Sequence, residues 1–150
     1  MTTPSSSLVD KLTAPDVRPQ VVAACVSLVD REVASKGGLS GMAVKAGYAV
    51  IKAVKPGFVA QVVETLLPEF AAAMEPIYTR EGAAGPEAFT RYLEGHRDEV
   101  ADALLTVTDA RAQRAKNPTI KKTYDRLRGS ARDNVSAAVP NLAATLRPFL

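Results

Sequence analysis

Ile120, Tyr124, Leu127, Ala131, Val135, Ala138, Leu142 and Leu146 follow one another at steps of three or four residues. That spacing lines all eight along one side of an α-helix and would scatter them over both faces of a strand. The stripe passes Gly129 without losing phase. One long helix is therefore expected, with Gly129 as a soft spot and Pro140 as a kink. A second stripe runs through Phe58 or Val59, Val62, Val63, Leu66, Phe70, Met74 and Ile77, with Pro68 and Pro76 inside it. A proline in a straight helix costs about 3 kcal/mol, so two or three consecutive segments are expected there.

The remaining chain reads the same way. Ser7 can cap a short helix with Leu8, Val9 and Leu12 inward, ending before Pro15. Asp16 is an N-cap type of residue and Pro19 suits a first helical turn, opening a helix to Lys36 with Val22, Cys25, Val26, Val29 and Val33 on one face. Gly37-Gly38 stops it. Ser40 can cap the next helix, which carries Met42, Val44, Tyr48, Ile51 and Val54; flanking alanines and the Lys45/Lys52 spacing favour helix over strand. Lys55-Pro56-Gly57 ends that helix, and Gly82-Ala-Ala-Gly85 reads as the most mobile loop. Pro86 opens a helix with Phe89, Tyr92 and Leu93, Gly95 marks a bend, and a longer helix bearing Val100, Ala103, Leu104 and Val107 runs towards Asn117-Pro118.

Composition agrees: 25 alanines and 17 valines stand against 8 aromatics, a helix-leaning set. Strict alternation and Asn-Gly or Asp-Gly hairpin signals are missing. The expectation is an all-α protein, a single irregular bundle of about six helices, some kinked by proline. It spans residues 8–150 behind a flexible 1–7 segment. A chain of 150 residues can bury about 68–70% of its unfolded surface without disulfides or metals.

The start of the chain does not resemble a signal peptide. Its most apolar region, Met42 to Met74, is broken by Lys45, Lys52, Lys55, Glu64 and Glu69, so no membrane span is expected. One cysteine, Cys25, amid valines fits a reducing compartment, and the expected location is cytoplasmic.

Charge is distributed unevenly. Residues 1–110 hold 10 basic and 14 acidic side chains, whereas residues 111–150 hold 9 basic and 2 acidic. Arg111, Arg114, Lys121, Lys122, Arg126, Arg128 and Arg132 form a basic C-terminal face, with Lys116 and Arg147 nearby. Such a face attracts an anion: an acidic protein, a nucleic acid or a negatively charged membrane surface. Equally, it can be a solvated helix face neutralised by Asp125, Asp133 and the carboxylates from Asp98 to Asp109.

Catalytic chemistry is poorly supported. Gly37-Gly38-Leu39-Ser40-Gly41 followed by Lys45 resembles a phosphate-binding helix start, yet lacks the P-loop and dinucleotide spacings and reads better as a helix–helix turn. His96 can act as a base with Glu94, Asp98 or Glu99 as orienters, but its polar surroundings suit an exposed histidine. Apolar neighbours should raise the pKa of Cys25 and keep it unreactive. Tyr48, Tyr78, Tyr92 and Tyr124 are expected at the core edge with their hydroxyls wet. One histidine cannot complete the Glu-x-x-His pairs of a di-metal bundle. No metal, cofactor or catalytic residue is therefore assigned.

Four segments carry a family resemblance: Glu32-Val-Ala-Ser-Lys-Gly-Gly-Leu-Ser-Gly41, Tyr48-Ala-Val-Ile-Lys-Ala-Val-Lys-Pro-Gly-Phe58, Asp98-Glu-Val-Ala-Asp-Ala-Leu-Leu-Thr-Val-Thr-Asp-Ala-Arg111 and Thr123-Tyr-Asp-Arg-Leu-Arg128. Together they resemble an uncharacterised family of small bacterial proteins, found mainly in actinobacteria and myxobacteria, that is known only as a domain of unknown function. The resemblance covers about residues 8–147. It implies a free-standing intracellular bacterial protein and transfers no activity and no site residue.

Two functional readings follow from the residues. The leading one is a non-enzymatic helical interaction module that uses the basic face. The alternative is a carrier of a lipid or other apolar small molecule, resting on the continuous apolar residues from Met42 to Ile77 and on prolines that could hold a cavity open. A homodimer would cover any apolar surplus.

Overall fold

A computed structural model describes residues 7–150, with the backbone alone for Ser40 and Ala83. Of the expected flexible segment 1–7, residues 1–6 lie outside the described residues, and Ser7 is the N-cap of the first helix. Seven α-helices follow in order: α1 (Leu8–Thr13), α2 (Arg18–Ser35), α3 (Gly38–Ala53), α4 (Phe58–Glu81), α5 (Pro86–Gly95), α6 (Arg97–Gln113) and α7 (Pro118–Leu146). Single 3-10 turns occupy Gly82–Ala84 and Arg147–Phe149. The fold is all-α, and the described residues contain no strand.

The short α1 is held by caps rather than by length. The Ser7 hydroxyl accepts the Asp10 amide at 3.0 Å. Glu75, reaching over from α4, accepts the amides of Leu8 and Val9 at 3.0 and 3.3 Å. These bonds satisfy donors that a first helical turn leaves free, and Leu8 and Leu12 become fully buried.

Several expected boundaries move. Asp16 does not cap α2; Val17 occupies that position without a side-chain cap, and the Ala14 carbonyl accepts the amides of both Val17 and Arg18. Likewise α3 begins at Gly38, ahead of Ser40, where Gly37 is extended and Gly38 takes a positive φ of 71°. Helix α6 ends at Gln113, and Asn117 caps α7 by accepting from the amides of Thr119 and Ile120.

The prolines break nothing. Helix α4 is continuous for 24 residues with Pro68 and Pro76 inside it, and α7 runs for 29 residues through Gly129 and Pro140. Pro68 has no amide to give to the Glu64 carbonyl four residues earlier, but the Arg18 guanidinium takes that acceptor at 2.9 Å. Pro76 frees the carbonyl of Ala72, and both residues are exposed, so water can satisfy it.

The core gathers at one end. Leu8, Leu12, Val21, Ala71, Phe89, Leu93, Val100, Val139 and Ala143 are completely buried in one cluster that joins α1, α2, α4, α5, α6 and α7. On α2 the buried residues are Val21 and Leu28 rather than the expected valine face. On α7 the buried line is Thr123, Val139, Ala143 and Leu146, so only Leu146 of the long stripe is in it. Helix α3 contributes nothing to this cluster and packs instead on α7, α2 and α4 at the other end.

Candidate functional site

The seven basic residues of the expected face separate into two sets. Arg128 donates from Nε and Nη2 to the two Asp109 oxygens at 2.8 and 3.1 Å. Arg132 makes the same two-pronged contact with Asp102, at 2.8 and 3.1 Å, and lies 4.0 Å from Asp98. Arg111 donates to Glu69 of α4 at 2.7 Å. These three arginines thus turn inwards onto α4 and α6, leaving Arg114, Lys121, Lys122 and Arg126 exposed and without a carboxylate partner among the described residues. The pairs hold their carboxyls below the ordinary values: Arg128, then Tyr124, for Asp109; Arg132 for Asp102; Arg111 for Glu69. Exposed pairs of this kind contribute about 0–1 kcal/mol each. Their effect here is mainly to neutralise nearly half of the face.

A different feature lies beneath α3. One chamber of about 290 Å³ is bounded by Ile51 of α3, Phe58, Val62 and Leu66 of α4, Ala112 of α6, Ala115 of the loop after it, and Ile120, Tyr124 and Leu127 of α7. A second, of about 300 Å³, is bounded by Leu28, Val29 and Val33 of α2, Val44 of α3, Phe70 of α4, Leu104 and Leu105 of α6, and Val135, Ala138 and Leu142 of α7. Thr108 belongs to both walls. The long α7 stripe is therefore mainly chamber lining rather than core: three of its residues face the first chamber and three the second. The prolines that were expected to hold a cavity open line neither chamber. Helix α3 contributes one lining residue to each, Ile51 to the first and Val44 to the second. Gly47 sits so close to α7 that a Cβ there would come within 2.6 Å of Leu127 Cδ1.

Polar groups sit at the edges of these chambers and are already engaged. The Tyr124 hydroxyl donates to Asp109 and lies 2.8 Å from the Thr108 hydroxyl. Burial, reinforced by Asp109, pushes the Tyr124 pKa up. Arg111, paired with Glu69, closes one rim of the first chamber. Glu32 and Lys36, 3.9 Å apart, edge the second.

The other sequence candidates are explained by local structure. His96 caps the α5–α6 junction, with its ring stacked 3.8 Å from that of Tyr92 and its Nδ1 3.0 Å from the Tyr92 carbonyl. Glu99, one of its expected orienters, instead accepts from Tyr92 and Arg80. Burial raises the Cys25 thiol to about 11, as its neighbours implied. All four tyrosines are half-buried, but only Tyr78 and Tyr92 pack against the core cluster, and none of the four hydroxyls is simply wet. Tyr48 bonds Asp30, Tyr78 bonds Lys11, Tyr92 bonds Glu99 and Tyr124 bonds Asp109. Of the glycine segment Gly37–Gly41, Gly37 lies in the turn out of α2 and Gly38–Gly41 open α3.

Sequence comparison agrees with the resemblance noted above: the pattern of a family of unknown function, DUF6918, matches residues 8–150. The chain belongs to that family. No curated protein and no solved structure matches it. For this DUF6918 member the match therefore covers every helix from α1 to α7 and supplies no site residue. The chamber walls contributed by Thr108 and Ala112 of α6 and Ala115 just beyond it gave no signal in the sequence, where small residues near the end of that helix carried no apolar stripe. Their spacing of three and four residues, facing Ile120 and Tyr124 across a short loop, was the available clue.

Proposed function

We propose that this protein carries an apolar small molecule in the chambers beneath α3. The observation that carries the reading is the state of the first chamber's wall. Ile51, Phe58, Val62, Leu66, Ile120 and Leu127 are all apolar and all only half-buried, around a groove of about 290 Å³ that is partly open to solvent. Its lining is almost wholly apolar, so a hydrocarbon body laid in it would take that wall out of contact with water at about 25 cal/mol per Å² covered. The ligand class is a molecule with an aliphatic or aromatic body, its polar end left at the Arg111–Glu69 or Glu32–Lys36 rim. The reading assigns no reaction to the chain, and it places a carrier with one half-buried thiol in the bacterial cytoplasm.

Native mass spectrometry of protein purified gently from its own host tests it. A discrete extra mass that is lost on denaturation is expected. A bare protein mass, together with failure to take up a neutral apolar dye, would overturn the reading.

A second reading has its own support. Arg114, Lys121, Lys122 and Arg126 remain unpaired among the described residues, so an acidic protein or a nucleic acid can dock on the basic face. Reversing Lys121, Lys122 and Arg126 to glutamate should then abolish retention on an anionic matrix at low salt while helicity is unchanged. Retention that survives the reversal would rule it out.

A further inference from the structure

Helix α3 is apolar on its outer side as well as its inner one. Leu39 and Met42 are 88% and 67% exposed, and Val50 and Val54, at its end, are 38% and 36% exposed. With about 3.6 residues per turn these four fall on one side of the helix. Ala43, Ala46 and Ala53, also exposed, fill the positions between them. Such a stripe on a globular surface marks an interaction site rather than a random excess.

The charge around it is one-sided. Between Glu32 and Glu64 the chain has no acidic residue and four lysines. Lys45 and Lys52 run along one flank of the stripe and Lys55 lies just past the helix end, all exposed and without a carboxylate partner among the described residues. The Lys52 ammonium lies 5.3 Å above the Tyr48 ring and that of Lys55 5.8 Å above the Phe58 ring.

We infer that this face of α3 docks on the surface of an anionic lipid bilayer. An apolar stripe flanked by lysines is the pattern of a helix lying in the interfacial plane, its apolar side among acyl chains and its ammonium groups among phosphates. A second copy of the chain fits less well, because a two-fold pairing through α3 sets lysine rows near each other with no carboxylate in either helix to offset them. A protein partner fits less well too. The stripe has no aromatic or arginine anchor, and no arginine occurs between Arg31 and Arg80, whereas protein interfaces favour those residues and are poor in lysine. The inference does not depend on what the chambers hold.

The full chain should be floated with vesicles of equal phosphatidylglycerol and phosphatidylcholine, and with vesicles of phosphatidylcholine alone. Binding to the anionic vesicles is expected, weakened by salt and far weaker on the neutral ones. Leu39→Ser with Met42→Ser, and separately Lys45→Glu with Lys52→Glu, should each lower partitioning about tenfold or more. These positions are exposed, and circular dichroism checks that helicity is kept. Arg91→Glu with Arg97→Glu, on α5 and at the start of α6 and outside both basic faces, should leave partitioning within about twofold. No binding to anionic vesicles, or binding that the α3 variants leave unchanged, would overturn the inference. So would a dimer in sedimentation that the Leu39/Met42 variant dissociates, since a second copy would then cover the stripe.

Discussion

The Arg18 guanidinium donates to the main-chain carbonyl of Glu64 at 2.9 Å, the acceptor that Pro68, four residues on, leaves without an amide. A side chain of α2 thus supplies the bond that a proline removes from α4, and the helix continues. Glu64 is exposed, so water can take its carbonyl when the guanidinium is removed, and Arg18→Ala should cost about 0.5–1.5 kcal/mol in urea denaturation, the usual net worth of one hydrogen bond. In a Pro68→Ala background the alanine amide can take the carbonyl back, so the same substitution should cost measurably less. A double-mutant coupling below about 0.5 kcal/mol would show that the two residues act independently.

Gly47 of α3 lies against α7, and a Cβ there would meet both Leu127 and Thr123. Gly47→Val should lower stability by about 1–3 kcal/mol through overpacking. The loss should appear as a lower melting temperature and as faster proteolysis within α3. Unchanged melting and proteolysis would mean that α3 seats against α7 less tightly than this contact requires.

Glu75 accepts from the amides of Leu8 and Val9, so α1 depends on α4 for its cap. Glu75→Ala should cost about 1–2 kcal/mol, the upper range for losing a cap. Hydrogen exchange should show the loss as selective deprotection of α1, leaving α5 and α6 unaffected.

The carboxyls of Glu69, Glu99, Asp102 and Asp109 are all held below their ordinary values: by Arg111 for Glu69, Tyr92 then Arg80 for Glu99, Arg132 for Asp102, and Arg128 then Tyr124 for Asp109. A depressed folded pKa gives stability that is present above the unfolded value and is lost as pH falls through the folded one. The urea midpoint should therefore change little on account of these groups from about pH 7 to about pH 5, then fall below about pH 4. Asp109→Asn should flatten part of that acid limb. An acid limb of unchanged slope in the variant would remove Asp109 from the account.

Periodicity made the helices legible because each carries its stripe at steps of three or four. It could not tell whether a stripe faces core or void, since Val135 and Val139 have the same hydropathy whichever they meet. That is decided by how the helices pack against one another, as where Gly47 of α3 lies against Leu127 and Thr123 of α7. The prolines misled for a related reason: the cost of Pro68 was read from its own helix, while Arg18, fifty residues earlier in the chain, supplies the missing bond. The inward turn of Arg128 and Arg132 was within reach, as Asp98, Asp102 and Asp109 recur at helical steps of four and seven. The pairing of Arg111 with Glu69 was not, since it joins α6 to α4 over 42 residues.

The central claim is that the chambers beneath α3 take an apolar guest, and a fluorescence titration with phenylnaphthylamine tests it most directly. Saturable uptake by the native chain is predicted. Ala112→Phe, which fills the first chamber, and Ala138→Phe, which fills the second, should each be made, and the one that blocks the occupied chamber should weaken uptake about tenfold or more without lowering the melting temperature. No saturable uptake, or uptake that both substitutions leave unchanged, would contradict the account.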